Sequence, residues 1–115
     1  MVLNLRFEMQ TMQEISLNYY TTLYDFLLMN ENRAAYYVYN DRLYEIFKIN
    51  NFNFENEFAN YGFILNLQMI KGQYRKSMLD ISLNVLQSII NLPVMCILII
   101  LSFMSNEDLI KLANN

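Results

Sequence analysis

The 115-residue chain contains no histidine, one cysteine, one proline and two glycines. Each shortage removes a class of protein. Without histidine the commonest general base and the commonest transition-metal ligand are missing, so the residues point to a non-enzyme with no cofactor and no metal. The single cysteine, Cys96, has no partner for an intramolecular disulfide, which fits a reducing compartment. It sits in an apolar run and reads as a small buried hydrophobe. Three glycine and proline residues in all are too few for the tight turns of an antiparallel sheet, whereas helices joined by Asn-rich breaks need none. Charge is scarce as well: 17% of residues are Asp, Glu, Lys or Arg and the net charge is −3. Nucleic-acid binding needs clustered Lys and Arg, so it is not expected here.

What remains is strongly apolar. Hydrophobic residues make up 55% of the chain, with nine tyrosines and eight phenylalanines. Such a composition excludes disorder and supports one domain, residues 1–115, with a modest core. The N-terminus is not a signal peptide, because Glu8, Gln10, Gln13 and Glu14 interrupt any apolar stretch. An intracellular protein is therefore expected.

Hydrophobic periodicity predicts about six helices. Leu5, Met9, Met12, Ser16, Tyr19, Leu23 and Phe26 recur at steps of three and four, which predicts a long helix over 3–29. Asn30-Glu31-Asn32 interrupts it and offers a capping oxygen for a second helix with the stripe Tyr36, Tyr39, Leu43, Ile46 and Phe47. Asn50 to Asn53 forms the next break. A third helix over 54–71 carries Phe58, Tyr61 and Leu65 on one face and ends near Gly72, and a fourth follows over 74–90 with Met78, Ile81, Val85 and Ile89 aligned. Pro93 fits the first turn of a fifth, whose core is Val94 to Leu101. Ser105-Asn106-Glu107-Asp108 has the spacing of a capping box and opens a sixth. Short connections make sequential neighbours antiparallel, so the predicted fold is all-α, a stack of helical hairpins of tetratricopeptide-like type.

The segment from Ile81 to Asn106 has no charged residue, which raises the question of a membrane anchor over 83–104. Its unbroken apolar part, Leu92 to Met104, would extend about 20 Å as a helix against roughly 30 Å of hydrocarbon. Extending it brings in Asn84, Gln87, Ser88, Asn91 and Pro93, whose polar groups need partners in lipid. A buried helix is the better reading, with the anchor kept as an alternative.

Candidate sites are few. Glu55 with Glu57, and Glu107 with Asp108, are acidic first turns that favour the helix dipole rather than paired catalytic carboxylates. Lys71, Arg75 and Lys76 form the one basic cluster, a candidate partner-binding patch at the end of a hairpin. Tyr37 and Tyr44 fall off the second stripe and, with Leu109, complete the candidate partner contacts, since exposed aromatics favour protein interfaces.

One pattern goes further. From about Tyr20 to Leu65 the order of features is a break at Asn30 to Asn32, then Tyr36, Leu43 and Phe47, then Glu57-Phe58-x-x-Tyr61 followed by Ile64 and Leu65. This order resembles the helical part of the GANP and suppressor-of-actin family, stacked-helix scaffolds of the PCI superfamily. Pro93 to Met104, Ser105-Asn106 and Leu109 to Leu112 are similar to later parts of that family, with Leu109 and Ile110 where aromatics are usual. The family's winged helix has no counterpart within these 115 residues, and basic residues usual in its first helical pairs are missing. The resemblance implies a non-catalytic scaffold subunit of a nuclear messenger-RNA export or processing complex, bound to other protein subunits, among them a PCI-type partner. It implies a nuclear or nuclear-pore location, with the cytoplasm as runner-up. A small PCI-type subunit of the proteasome lid or of a translation initiation factor is the alternative within the superfamily.

Overall fold

The computed structural model describes residues 2–114, leaving Met1 and Asn115 of the expected domain outside the described residues. Seven α-helices and one 3-10 turn make up the regular structure, with no strand among the described residues beyond an isolated bridge between Ser16 and Thr22. The helices are α1 (Val2–Glu14), α2 (Leu23–Leu27), α3 (Glu31–Tyr37), α4 (Asp41–Ile49), α5 (Gly62–Ile89), α6 (Val94–Ser102) and α7 (Asn106–Ala113), and the 3-10 turn is Phe54–Asn56. The all-α expectation holds. The chain divides into two compact units, Met1–Gly72 and Gln73–Asn115, a finer organisation than the single domain expected from length.

In the first unit the expected helix over 3–29 is two helices with a loop between them. Thr22 explains the break: its hydroxyl accepts from the Asp25 amide at 3.2 Å, while the Asp25 carboxylate accepts from the Thr22 amide at 2.9 Å. This reciprocal capping box starts α2 afresh. The backbone turns back on itself just before it, with the amide of Leu23 donating to the Ile15 carbonyl at 2.9 Å. Tyr19 of the predicted stripe consequently points to water, while Leu17 and Thr21 of the loop are buried.

The expected second helix is also divided. Asn30 caps α3 as predicted, accepting from the Arg33 amide. Asn40 then caps α4 by accepting from Leu43. Because the split changes the helical phase, Ala34, Ala35 and Val38 are buried, and Tyr36 and Tyr39 are exposed. The break after α4 lies where Asn50 to Asn53 placed it. There Asn51 and Phe52 take left-handed φ values of 57° and 60°. The Asn51 amide donates to Lys48 and the Phe52 amide to Phe47, the paired bonds of a Schellman ending. Ring contacts of Phe52 with Phe47 and of Phe47 with Phe54 cover this turn.

Gly72 does not end a helix. The expected third and fourth helices are one 28-residue helix, α5, that runs through it. No glycine has positive φ, and the role of both is close approach. A β-carbon at Gly72 would meet Val38 Cγ1 and lie 3.0 Å from the Ala34 carbonyl oxygen; one at Gly62 would lie 2.5 Å from both Cα and N of Glu55. Between the glycines, Leu65, Gln68 and Met69 continue the buried face of α5. The core they join includes Met12, Leu23, Phe26, Leu43, Phe54 and Phe58.

In the second unit, Arg75, Leu79 and Ser82 form the buried positions of α5, together with Ile97, Leu101 and Leu109. This corrects the predicted stripe, since Ile81 and Ile89 are exposed. Pro93 stands at the N-cap of α6, one position before its predicted place. Ser105 caps α7 by accepting from the Asp108 amide, half of the predicted box. Residues 83–104, the alternative anchor, do not form one continuous helix: α5 ends at Ile89, α6 has nine residues, and no helix among the described residues is long and apolar enough to cross a membrane.

The two glycines give a ranked prediction. Gly62→Ala drives a methyl into backbone and lowers unfolding free energy by about 1–3 kcal/mol, the cost of overpacking. Gly72→Ala costs less, because its obstacle is chiefly a side chain and alanine is favoured inside a helix by about 1 kcal/mol. Urea unfolding of the two variants beside wild type measures the order.

Candidate interaction surface

Glu57-Phe58-Ala59-Asn60-Tyr61 lies between the 3-10 turn and α5, so the motif precedes its helix and does not open one. Phe58 and Leu65 are buried core residues and Tyr61 packs partly against that core, as the predicted face required. Ile64 is exposed on the other side of α5. The Glu57 carboxylate accepts from Asn50 Nδ2 at 2.8 Å, which ties the motif to the end of α4.

The motif is held by a residue far away in sequence. Glu8 of α1, only 7% exposed, accepts from the backbone amides of Asn60 and Tyr61, each at 3.0 Å, and from Asn60 Nδ2. A carboxylate at this place satisfies donors that the first turn of a helix leaves open, and its charge suits the positive end of the α5 dipole. In the sequence Glu8 only interrupts an apolar stretch, and nothing local announces a partner 52 positions on.

The candidate partner contacts separate into interior and surface residues. Tyr37 is half-buried: its phenol oxygen accepts from Asn18 Nδ2 at 2.8 Å and shares a hydrogen bond with Thr21 Oγ1 at 2.8 Å. These contacts bind α3 to the 15–22 loop. The Thr21 hydrogen bond, with smaller help from Asn18 and Arg33, outweighs partial burial and holds the Tyr37 pKa below the ordinary tyrosine value. Tyr44 is exposed, edge-on to Phe52, and Lys71 is exposed.

Arg75 is 4% exposed and donates to Asn106 Oδ1 at 2.9 Å and to the carbonyls of Leu101 and Ser102 at 3.3 and 3.5 Å. A buried guanidinium at the carboxyl end of α6 is an internal cap. Lys76 pairs with Asp80 at 3.3 Å. Lys71, Arg75 and Lys76 therefore do not make a basic surface patch. Leu109 is fully buried and belongs to packing.

The most exposed aromatics are two that the helical stripe concealed. Tyr19 is 91% and Tyr20 88% exposed, with rings edge to face and centroids 4.8 Å apart. Their loop is closed by the Leu17 and Asn18 amides donating to the Thr21 carbonyl, and the Tyr20 amide donates to Asn18 Oδ1 at 2.9 Å. The sequence signal was Asn18-Tyr19-Tyr20-Thr21, an Asn turn with adjacent tyrosines, followed by the capping-box pair Thr22 and Asp25. No group of three or more Cys, Asp or Glu that could hold a metal ion occurs among the described residues.

Two outcomes follow from these contacts. Glu8→Ala leaves part-buried amides without their charged acceptor and lowers unfolding free energy by about 1.5–3 kcal/mol; Glu8→Gln, which keeps one acceptor, costs less, and chemical unfolding compares them. In alkaline titration followed by phenolate absorbance, Tyr37 ionises below the ordinary tyrosine value, and Tyr37→Phe removes that step. Since the folded pKa is depressed, the associated stabilisation is fully present above the ordinary tyrosine value and lost as pH falls through the folded one. It is therefore absent at neutral pH.

No protein-family model, curated protein or solved structure matches the chain.

Proposed function

We propose that the protein is a non-catalytic helical scaffold that binds another protein through its first unit, with Tyr19 and Tyr20 as anchors. The observation that carries this reading is two adjacent tyrosine rings standing almost wholly in water on a loop closed by its own hydrogen bonds. Tyrosine is enriched among residues that dominate binding energy, and a rigid anchor loses little entropy when it is covered. Tyr36 of α3 and Tyr39 just after it are also exposed aromatics of the first unit.

The finer reading is a stack of antiparallel hairpins serving a nuclear messenger-RNA export or processing complex. It rests on the ordered resemblance between Tyr20 and Leu65. Short connections, such as the three residues between α3 and α4, support hairpins. Direct nucleic-acid contact has no part in it, because the one basic cluster contains an interior arginine.

Affinity capture of the full chain from its own cells, with identification of what co-purifies, tests both levels. Wild type recovers export or processing factors. Tyr19→Ser combined with Tyr20→Ser loses them while its melting stays within about 0.5 kcal/mol of wild type, as for surface changes away from special features. Recovery of proteasome-lid or initiation-factor subunits moves the protein to the alternative complex, and equal recovery by the variant removes the tyrosines from the interface.

A further inference from the structure

The second unit contains a helix that is apolar on every side. On α6, Ile97 and Leu101 are buried, and the opposite face carries Met95, Cys96, Ile99, Ile100 and Phe103 at the steps of three and four that make one stripe. Met95 is 68% and Phe103 86% exposed. A soluble helix in water ordinarily turns a polar face outward, and one that is apolar all round is ordinarily covered.

The chemistry of the stripe restricts what covers it. No Asp, Glu, Lys or Arg occurs from Ile81 to Asn106, so the face offers a charged partner no counter-charge and its own copy no repulsion. An uncharged apolar surface can pack against its own copy, which is what a two-fold interface requires, since the same patch serves on both sides. The five side chains leave on the order of 600 Å² in water, so two copies face to face reach the roughly 1,200 Å² of total area at which standard interfaces begin. At about 13 Å, α6 is far shorter than the roughly 30 Å of a bilayer core, and it lacks the Lys and Arg of helices that lie on anionic membranes.

We propose that α6 packs against α6 of a second copy, giving a two-fold dimer centred on Ile99 and Ile100. This site is separate from the tyrosine anchors of the first unit and stands whether or not those bind a partner. The chain's one cysteine supplies a reporter, because Cys96 is exposed on the proposed face. Helices crossing at 8–10 Å through Ile99 and Ile100 bring the two Cys96 sulfurs within about 15 Å of each other.

Sedimentation velocity of the full chain over a micromolar concentration series, joined to cross-linking by a bis-maleimide whose reach is about 15 Å, tests the dimer. Wild type sediments as a dimer and is cross-linked through Cys96 in good yield at concentrations where it is dimeric. Met95→Glu with Ile99→Glu sediments as a monomer and loses the cross-link, with helical circular dichroism unchanged. Wild type that stays monomeric overturns the proposal, as does a double variant that remains dimeric. A wild-type dimer that cannot be bridged at Cys96 also overturns it, and this readout does not depend on the variant folding. Monomer that floats with neutral phosphatidylcholine vesicles would assign the face to a lipid surface instead.

Discussion

Within the first unit, the position of α5 is set where its N-terminus is held from three directions. Gly62 lies against the Phe54–Glu55 backbone, Glu8 accepts from the amides of Asn60 and Tyr61, and Asn66 Oδ1 accepts from the Phe54 amide at 2.9 Å. Each contact constrains a different atom, so the helix can neither slide nor tilt away from the 3-10 turn without losing one of them. Phe54, Phe58 and Leu65 are buried because of this placement. The long-range bond to α1 also explains why a helix with little apolar bias of its own stays docked: its anchor is a buried carboxylate, and leaving that carboxylate unpaired is costly.

A second theme is the treatment of helix ends. Most helices here are shorter than ten residues, so their unpaired terminal carbonyls and amides are a large share of the backbone and need partners. Polar side chains of α5 meet this need in each unit. Gln68 Nε2 donates to the carbonyls of Phe26 and Met29 at 3.0 and 2.8 Å, closing α2 and the residues after it. Arg75 does the same for Leu101 and Ser102 at the end of α6. Buried polar residues that would disturb an aliphatic core are thus the means by which short helices end inside one. Amino ends are met locally by Thr22, Asn30, Asn40 and Ser105.

This division between local and distant partners decides what could be read from sequence. Helical class, the Asn30 and Ser105 caps, the Asn50–Asn53 break and the burial of Phe58 and Leu65 rest on neighbouring residues and were legible. The Thr22–Asp25 box was equally local, but the apolar steps running across it, Ser16, Tyr19, Leu23 and Phe26, imitated one helix. Gly72 misled for a different reason: a glycine after a helical stripe has the signature of a stop, whereas here it admits Ala34 and Val38 from α3, a contact fixed only by the tertiary fold. Arg75 and Leu109 were assigned to the surface because sequence gives no sign of which cation or leucine a small unit will enclose. Of the candidate surface, the charge-free run around α6 was visible, but its uncovered side was not.

That uncovered side concerns the packing of the second unit. A unit of about 40 residues lies near the limit below which a single core needs outside support, because surface falls more slowly than volume as a chain shortens. Gln73–Asn115 draws its core from α6, α7 and part of α5, and these can cover only one side of α6. Making the outer side polar would improve solubility and leave the unit no better packed. Keeping it apolar makes burial against another surface part of the unit's stability, which then rises with concentration by mass action. The residues that look least functional by chemistry, a run of aliphatic side chains with one cysteine, are on this argument the ones whose exposure has the strongest physical consequence.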